Sequence, residues 1–263
     1  MRKPGNIVET ARIAWPLALA MMAGAMNHVC DRFFLAHSSD AALQAVLPAE
    51  MLVNVFVSFF AVTIGYSGTF VAQCHGGGRN ASAVRSFAQG LWMTAFAIPL
   101  FILCIPLGNF IIDLAGHESA VKAAERSYLL IAAPGGILTV LNAVLAGVLT
   151  GQGRTRYASF SLICGCVVNL LLDPIFIFGF GMGIRGAALA TVICQFMALC
   201  YTFKFFMDKK RFLHFEKPLF QIDLRVAKSS MAIGLGPFLM NSAACIVTLF
   251  INQQLRRYGG DLA

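Results

Sequence analysis

The chain has 263 residues, of which 58% are hydrophobic and 12% are charged, whereas a soluble domain is about 45–50% apolar and about 25% charged. With a mean hydropathy of +0.75, this composition excludes an ordinary soluble domain and favours a membrane protein. The formal net charge of +8 does not indicate nucleic-acid binding, because the basic residues lie in short loops between apolar runs.

Apolar runs of about 20 residues recur along the chain, and each is long enough to cross a bilayer. The N-terminal stretch MRKPGNIVETARIAWPLAL has no small-residue cleavage site after a short apolar core, so we expect the first run to remain as an anchor. The predicted fold is an all-α polytopic membrane helix bundle. Its predicted spans are residues 13–35, 49–73, 87–112, 127–149, 157–180, 186–207 and 229–254.

The distribution of Lys and Arg predicts the orientation of these spans. Basic residues are concentrated in the N-terminal tail and in the loops after spans 2, 4 and 6, and they are fewer in the other loops. Because short cytoplasmic loops carry the excess of Lys and Arg, the N-terminus is predicted to be cytoplasmic. We therefore expect a multi-pass protein of the plasma (inner) membrane, surrounded by the lipid bilayer.

The longest polar segment, residues 208–228, separates the first six spans from the seventh. We interpret it as a cytoplasmic linker, which either lies on the membrane surface through its alternating apolar residues or is an ordinary loop. The predicted domains are then an N-terminal six-helix lobe at 1–207, this linker, and an incomplete C-terminal lobe at 229–263.

Span 7 is similar to span 1 in the order of its features. Aligning the two spans places Pro16 on Pro237 and Asp31 on Asn252. Two six-span halves are a common plan of secondary transporters. We therefore interpret the chain as a six-span lobe plus a seventh span, truncated from a twelve-span two-lobe transporter whose C-terminal lobe is missing.

Asp31 and Asp173 are the acidic residues that the sequence places well inside spans. An ionised Asp at mid-bilayer costs at least about 2.5–3.5 kcal/mol, so it is retained where it is paired, hydrated or functional. Both residues are predicted to lie about 24–27 Å from the cytoplasmic ends of their helices, so their carboxylates could share one cavity. Alternatively, Asp173 is a structural hydrogen-bonding residue before Pro174, and Asp31 is an interfacial acid beside Arg32.

Each of these acids follows an amide residue at a distance of four positions. Asn27 precedes Asp31, Asn169 precedes Asp173, and Thr191 and Gln195 repeat the spacing on span 6. Residues four apart share one face of a helix. Their oxygens suit Na⁺, or can position a carboxyl group that takes a proton. Alternatively, the amides and Thr191 are polar packing groups between helices.

Pro16 lies one turn into span 1, where a proline frees a backbone carbonyl. This position predicts a hinge in the helix. The alternative is a first-turn proline that changes nothing.

The glycine-rich and acidic sequences do not match enzyme motifs. Gly76-Gly77-Gly78 is not followed by the Lys-Ser/Thr pair of a phosphate-binding loop, and the sequence contains neither HExxH nor GxSxG. Asp173 follows Leu171-Leu172 rather than the Gly-x-Gly of intramembrane aspartyl proteases. We therefore expect neither an enzyme nor a cofactor.

The run from Asn169 to Thr191, NLLLDPIFIFGFGMGIRGAALAT, closely resembles the span 5–6 region of multidrug and toxic compound extrusion (MATE) transporters. Shorter matches at Asp31, Ala72-Gln73, Gly151-Gln152-Gly153-Arg154 and residues 251–263 agree with it. The resemblance implies two six-helix lobes related by a pseudo-two-fold axis. It also implies efflux of small cationic or lipophilic compounds by antiport, with Na⁺ or H⁺ as the coupling ion and no cofactor.

The same resemblance implies which residues bind the coupling ion and line the cavity. It implies a cation site at Asp31, Asn169, Asp173 and Thr191, the first three being the metal ligands if the ion is Na⁺. Cavity neighbours and a hinge are predicted from the resemblance together with the spacing: Tyr128, Asn142, Asn27, Gln195 and, for the hinge, Pro16.

Two other functions fit parts of the sequence. A lipid-linked sugar flippase of the same superfamily would need several cationic residues inside the lobe, and none is predicted well within spans 1–6. A non-transporting seven-span receptor or sensor fits the number of spans but does not explain the two acids at matched depth. Because alternating access needs two lobes rocking about a central site, we expect the chain alone to insert without exporting drug.

Overall fold

The computed structural model of the chain describes residues 7–65, 67–114 and 117–208, together with isolated helical positions between 225 and 254. This described part is all-helical, which confirms the predicted fold class. The elements are α1 (Ile7–Ala36), α2 (Asp40–Gly65), α3 (Ser67–Gly76), α4 (Asn80–Leu114), α5 (Ser119–Gly151), α6 (Thr155–Pro174), a π-helical turn (Ile175–Gly179) and α7 (Ile184–Phe206).

Five described helices are long and apolar enough to cross a membrane, which confirms a multi-pass membrane protein. They are Asp40–Ala61, Asn80–Leu114, Ser119–Gly151, Thr155–Gly179 and Ile184–Phe206, and they correspond to predicted spans 2 to 6. The 30-residue α1 corresponds to predicted span 1. Predicted span 7 and the predicted linker lie outside the described residues, apart from the isolated helical positions.

Several helices begin earlier than the apolar runs predict. α2 begins at Asp40 rather than at residue 49, and α5 begins at Ser119 rather than at residue 127. A helix continues beyond the hydrocarbon core with polar residues, so the length of an apolar run underestimates the length of the helix.

Two further acids lie well within the helices that are long enough to cross a membrane, so the prediction that Asp31 and Asp173 alone lie well inside spans is wrong. Glu50 lies within the membrane-spanning part of α2, and Glu125 within that of α5. Glu125 is fully buried, and its Oε1 lies 2.8 Å from Nδ1 of His117, just before α5. Glu50 lies in the middle of the Asp40–Ala61 segment of α2, where it faces α1.

α5 is the central helix of the bundle, because it packs against α2, α3, α4, α6 and α7. α1 lies at the periphery and packs mainly against α6, which in turn packs against α7. Buried apolar clusters follow α5 along its length, from Leu149 at one end to Tyr128 towards the other. We name the end that carries the α1–α2, α4–α5 and α6–α7 connections the outer end, following the predicted orientation.

Glycines allow the central helix to approach its neighbours closely. A Cβ on Gly68 of α3 would overlap the backbone of Gly147 on α5, and a Cβ on Gly136 of α5 would overlap the ring of Phe101 on α4. Small residues serve this purpose in membrane bundles, where packing replaces the hydrophobic effect as the source of helix association.

The contact between Gly68 and Gly147 generates a prediction about stability. Gly68→Ala should destabilise the bundle by about 1–3 kcal/mol, because the added methyl group meets backbone atoms that cannot rotate away. The measurement is the thermal unfolding midpoint of the purified chain in detergent. Gly24→Ala in α1 is the matched control, since its Cβ meets no atom within 4 Å and Ala has the higher helix propensity. A Gly68→Ala chain as stable as wild type would contradict the close approach.

Candidate cation site

The contact between α1 and α6 brings four of the predicted site residues together. Nδ2 of Asn27 donates a hydrogen bond to Oδ1 of Asn169, and Nδ2 of Asn169 donates to Oδ1 of Asp173 at 3.2 Å. The carboxyl groups of Asp31 and Asp173 lie within hydrogen-bonding reach of each other. The four-residue spacing on each helix therefore places an amide and a carboxyl group from α1 opposite an amide and a carboxyl group from α6.

These side chains are shielded from solvent and only partly satisfied. Asp173 is 0% exposed, Asn169 2% and Asp31 7%. Among the described residues no donor reaches three of the buried oxygens: Oδ1 of Asn27, Oδ1 of Asp31 and Oδ2 of Asp173. Leaving a buried acceptor unsatisfied costs about 1–3 kcal/mol, and two neighbouring buried carboxylates also repel each other. A proton or a small cation would relieve both penalties.

Side chains from α5, α6 and α7 surround the two carboxyl groups. Tyr128 of α5, buried at 7% exposure, lies close enough to Asp31 and Asp173 to feel their charges, and so does Cys194 of α7. Cys166 of α6 lies near Asp31. Neither cysteine was predicted as a site residue, although a signal existed: Cys166 precedes Asn169 by three positions, so the two share one face of α6.

The remaining predicted residues form hydrogen bonds outside the carboxyl pair. Thr191 donates its hydroxyl to the carbonyl of Ala187, at 3.0 Å. Nδ2 of Asn142 donates to the carbonyl oxygen of Gln195 at 2.8 Å and to its Oε1 at 3.0 Å. Along the axis of α5, Asn142 lies about 21 Å from Tyr128, at about 1.5 Å per residue. The Asn142–Gln195 pair is a polar bridge between α5 and α7, and Gln195 directly follows Cys194.

Pro16, the predicted hinge of α1, and Pro174, which follows Asp173, lie in different backbone contexts. α1 continues as one helix through Pro16, which lies about 22 Å from Asp31 along the axis. α6 ends at Pro174 and passes directly into the π-helical turn. Such turns occur often at functional sites, and this one begins two residues after Asp173.

Three further side chains, those of His28, Arg32 and Glu50, form a group between α1 and α2, beside Asp31. Nδ1 of His28 lies 3.8 Å from Oε1 of Glu50, and a guanidinium nitrogen of Arg32 lies 3.7 Å from Oε2 of Glu50. Arg32, considered above as the neighbour of an interfacial Asp31, thus forms its ion pair with Glu50. The sequence did not predict this group, because the contact joins two helices across a connection.

An all-helical membrane bundle with paired carboxyl groups buried between its helices is typical of polytopic membrane transporters. The particular family follows from a family model: MatE matches residues 16–175, which is more than half of the chain. The chain belongs to the MatE family, whose members are transporters, and the predicted family is confirmed.

Individual relatives agree with this assignment. The chain is 29% identical over 196 residues to a probable multidrug resistance protein NorM from Thermotoga maritima, a match covering 72% of this chain and 42% of that protein. It is 20% identical over 256 residues to the multidrug export protein MepA from Staphylococcus aureus, covering 93% of this chain and 54% of the relative. The chain therefore spans about half the length of the curated relatives it matches.

Solved structures show the same fold. The crystal structure of a MATE protein in the bent conformation superposes with a TM-score of 0.83 at 20% sequence identity. That match covers 96% of this chain and 57% of the solved chain.

The amide bridge across α1 and α6 generates a prediction about ligand-dependent stability. A bound ion stabilises the folded state by about 2.7 kcal/mol at a concentration 100 times its Kd. We expect thermal unfolding of the purified chain to shift upward as Na⁺ rises or as pH falls, and Asn169→Ala to remove that shift.

Asn142→Ala is the matched control, because it also removes an amide that bridges two helices. It should lower the unfolding midpoint without removing the shift caused by the ion. An Asn169→Ala chain with the full ion-dependent shift would contradict a role of this amide in the site.

Proposed function

We propose that this chain provides the ion-coupling lobe of an antiporter that exports small cationic or lipophilic compounds in exchange for inward Na⁺ or H⁺. The lobe lies in the plasma (inner) membrane with a cytoplasmic N-terminus. The proposal rests on one observation above all: Asp31 and Asp173 face each other, buried, between α1 and α6. Asn169 donates a hydrogen bond to Asp173 and accepts one from Asn27.

The first step of the mechanism is neutralisation of this pair. With both carboxylates ionised, α1 and α6 repel each other at their main contact. A Na⁺ or a proton entering from the outer end removes that repulsion, and the unsatisfied oxygens of Asn27, Asp31 and Asp173 are available as its ligands. Thr191 completes the proposed site from α7 if its hydroxyl turns away from the carbonyl of Ala187.

The second step couples the ion to the position of α1. Because α1 packs mainly against α6, a change of charge at this contact acts on the largest interface that α1 has. Rearrangement about Pro16 would then alter the surface that α1 presents to substrate. Met22 and Met26, one turn apart and both exposed, supply flexible and polarisable side chains suited to lipophilic compounds of varied shape.

The inward movement of the coupling ion supplies enough energy for export without the hydrolysis of a nucleotide. One charge moving inward gains about 2.3 kcal/mol per 100 mV, which corresponds to an accumulation ratio of a few tens-fold. Alternating access requires a second lobe as partner. The proposed unit therefore comprises the lobe at 1–207, the linker at 208–228 and a complete second lobe beginning within 229–263.

Ethidium efflux from cells tests the proposal in a transporter in which this segment is joined to a second lobe. Asp173→Asn should reduce efflux at least about tenfold, because the pair then carries one charge fewer and no longer responds to the ion in the same way. Asp113→Asn is the control: Asp113 is also an aspartate of this lobe, but it is exposed and paired with Arg126. It should leave efflux unchanged.

Membrane insertion of each variant is confirmed before efflux is compared. Imposed Na⁺ and pH gradients, applied separately, identify the coupling ion. Full efflux by an inserted Asp173→Asn variant would refute the proposal.

A further inference from the structure

The group between α1 and α2 places two metal-ligating side chains that the proposed coupling mechanism does not use, those of His28 and Glu50, beside Asp31 of the coupling pair. One ring nitrogen of His28 and one carboxylate oxygen each of Asp31 and Glu50 all lie within 4.8 Å of one another. His28 and Asp31 are three positions apart and share a face of α1, and Glu50 faces them from α2.

The spacing of these atoms is close to that of a coordination sphere. Ligands about 2.0–2.2 Å from Zn²⁺ in a tetrahedron lie about 3.3–3.6 Å apart, and the measured separation between Nδ1 of His28 and Oε1 of Glu50 is 3.8 Å. Small side-chain rotations would therefore bring the three atoms onto one ion. One imidazole and two carboxylates suit a divalent transition metal, whereas Na⁺ prefers oxygen ligands alone.

Asp31, the buried member of the set, has one carboxylate oxygen available to a metal ion. Asp31 is more than nine-tenths buried, and no described residue donates a hydrogen bond to its Oδ1. A metal ion is one partner that would satisfy a buried carboxylate oxygen left without a donor.

The local charge also favours a divalent cation. Asp31, Glu50 and Asp173 bring three carboxylates to this region, and Tyr128 lies near all three. The cationic side chain that ion-pairs with them among the described residues is Arg32, at Oε2 of Glu50. With ionised acids and a neutral imidazole, two negative charges remain, which equals the charge of one Zn²⁺. Arg32 contacts Oε2 of Glu50, whereas His28 faces Oε1. Arg32 would therefore orient Glu50 as a metal ligand without contacting the metal itself.

The described residues do not enclose the site completely. The side chain of His28 is 59% exposed and that of Glu50 is 14% exposed. Three protein ligands and an accessible fourth position describe an exchangeable site, in which water completes the coordination.

We propose that His28, Asp31 and Glu50 form a binding site for Zn²⁺ or a similar divalent transition metal. Because the site shares Asp31 with the proposed coupling pair, the metal competes with Na⁺ or H⁺ for one carboxylate. Zn²⁺ then acts as an inhibitor of transport, and this consequence, unlike the binding itself, rests on the proposed function.

The test is a calorimetric titration of the purified chain with Zn²⁺, in detergent, without a polyhistidine tag and with its cysteines alkylated. Wild type should show one saturable site. His28→Ala and Glu50→Gln should each weaken binding at least about tenfold. His37→Ala is the control, since His37 is another exposed imidazole near the end of α1, with its Nδ1 at the carbonyl of Phe33. It should bind Zn²⁺ like wild type.

A spectroscopic titration with Co²⁺ gives an independent readout. Four-coordinate Co²⁺ should show d–d absorption in wild type that His28→Ala removes, with the fold of that variant checked by its unfolding midpoint. Absence of saturable Zn²⁺ binding to wild type, or equal binding by His28→Ala, would overturn the proposal. The coupling mechanism can fail separately: efflux that survives Asp173→Asn refutes antiport and leaves the Zn²⁺ titration, which needs no transport, unaffected.

Discussion

The contact between α1 and α6 holds two carboxyl groups within hydrogen-bonding reach inside a helix bundle. Burying one such group without compensation is costly, and burying two adds their mutual repulsion. The surrounding residues address only part of this cost. Asn169 donates to Asp173, Asn27 donates to Asn169, and Asp31 keeps an oxygen with no donor among the described residues. The interface is therefore incomplete by itself, and its stability depends on what binds there.

The rest of the lobe divides into a rigid part and a peripheral helix. α5 touches five neighbours, and glycines at Gly68, Gly136 and Gly147 let its neighbours approach to backbone contact or to ring contact. The bridge from Asn142 to Gln195 ties α5 to α7 by two hydrogen bonds. α1 packs mainly against α6, and its polar contacts in the described residues, from Asn27 to Asn169 and from His28 and Arg32 to Glu50, are with α6 and α2. A change of charge at the acids thus acts on the main interface of this peripheral helix.

The sequence was sufficient to predict the bundle, because apolar runs of membrane length carry a strong signal. It was also sufficient to pair Asn27 with Asp31 and Asn169 with Asp173, since a four-residue spacing defines a helix face. It was not sufficient for Glu50 and Glu125: Glu125 lies where α5 extends beyond its apolar run, and Glu50 lies at the edge of the predicted span but in the middle of the Asp40–Ala61 segment. Nor could it show that Asn142 binds Gln195 or that Arg32 binds Glu50. Those contacts join different helices, and spacing along one helix carries no information about its neighbour.

Because α1 is one continuous helix between Pro16 and Asp31, a small bend at Pro16 would produce a large displacement at Asp31. With about 22 Å of continuous helix between them, a bend of about 20° at the proline, a modest kink for a helix, would displace the carboxyl group by about 7–8 Å. That displacement is more than twice the length of a hydrogen bond. A small angular change at one end of α1 would break the bonds to Asn169 and Asp173 together, so the interface would open as a unit rather than bond by bond.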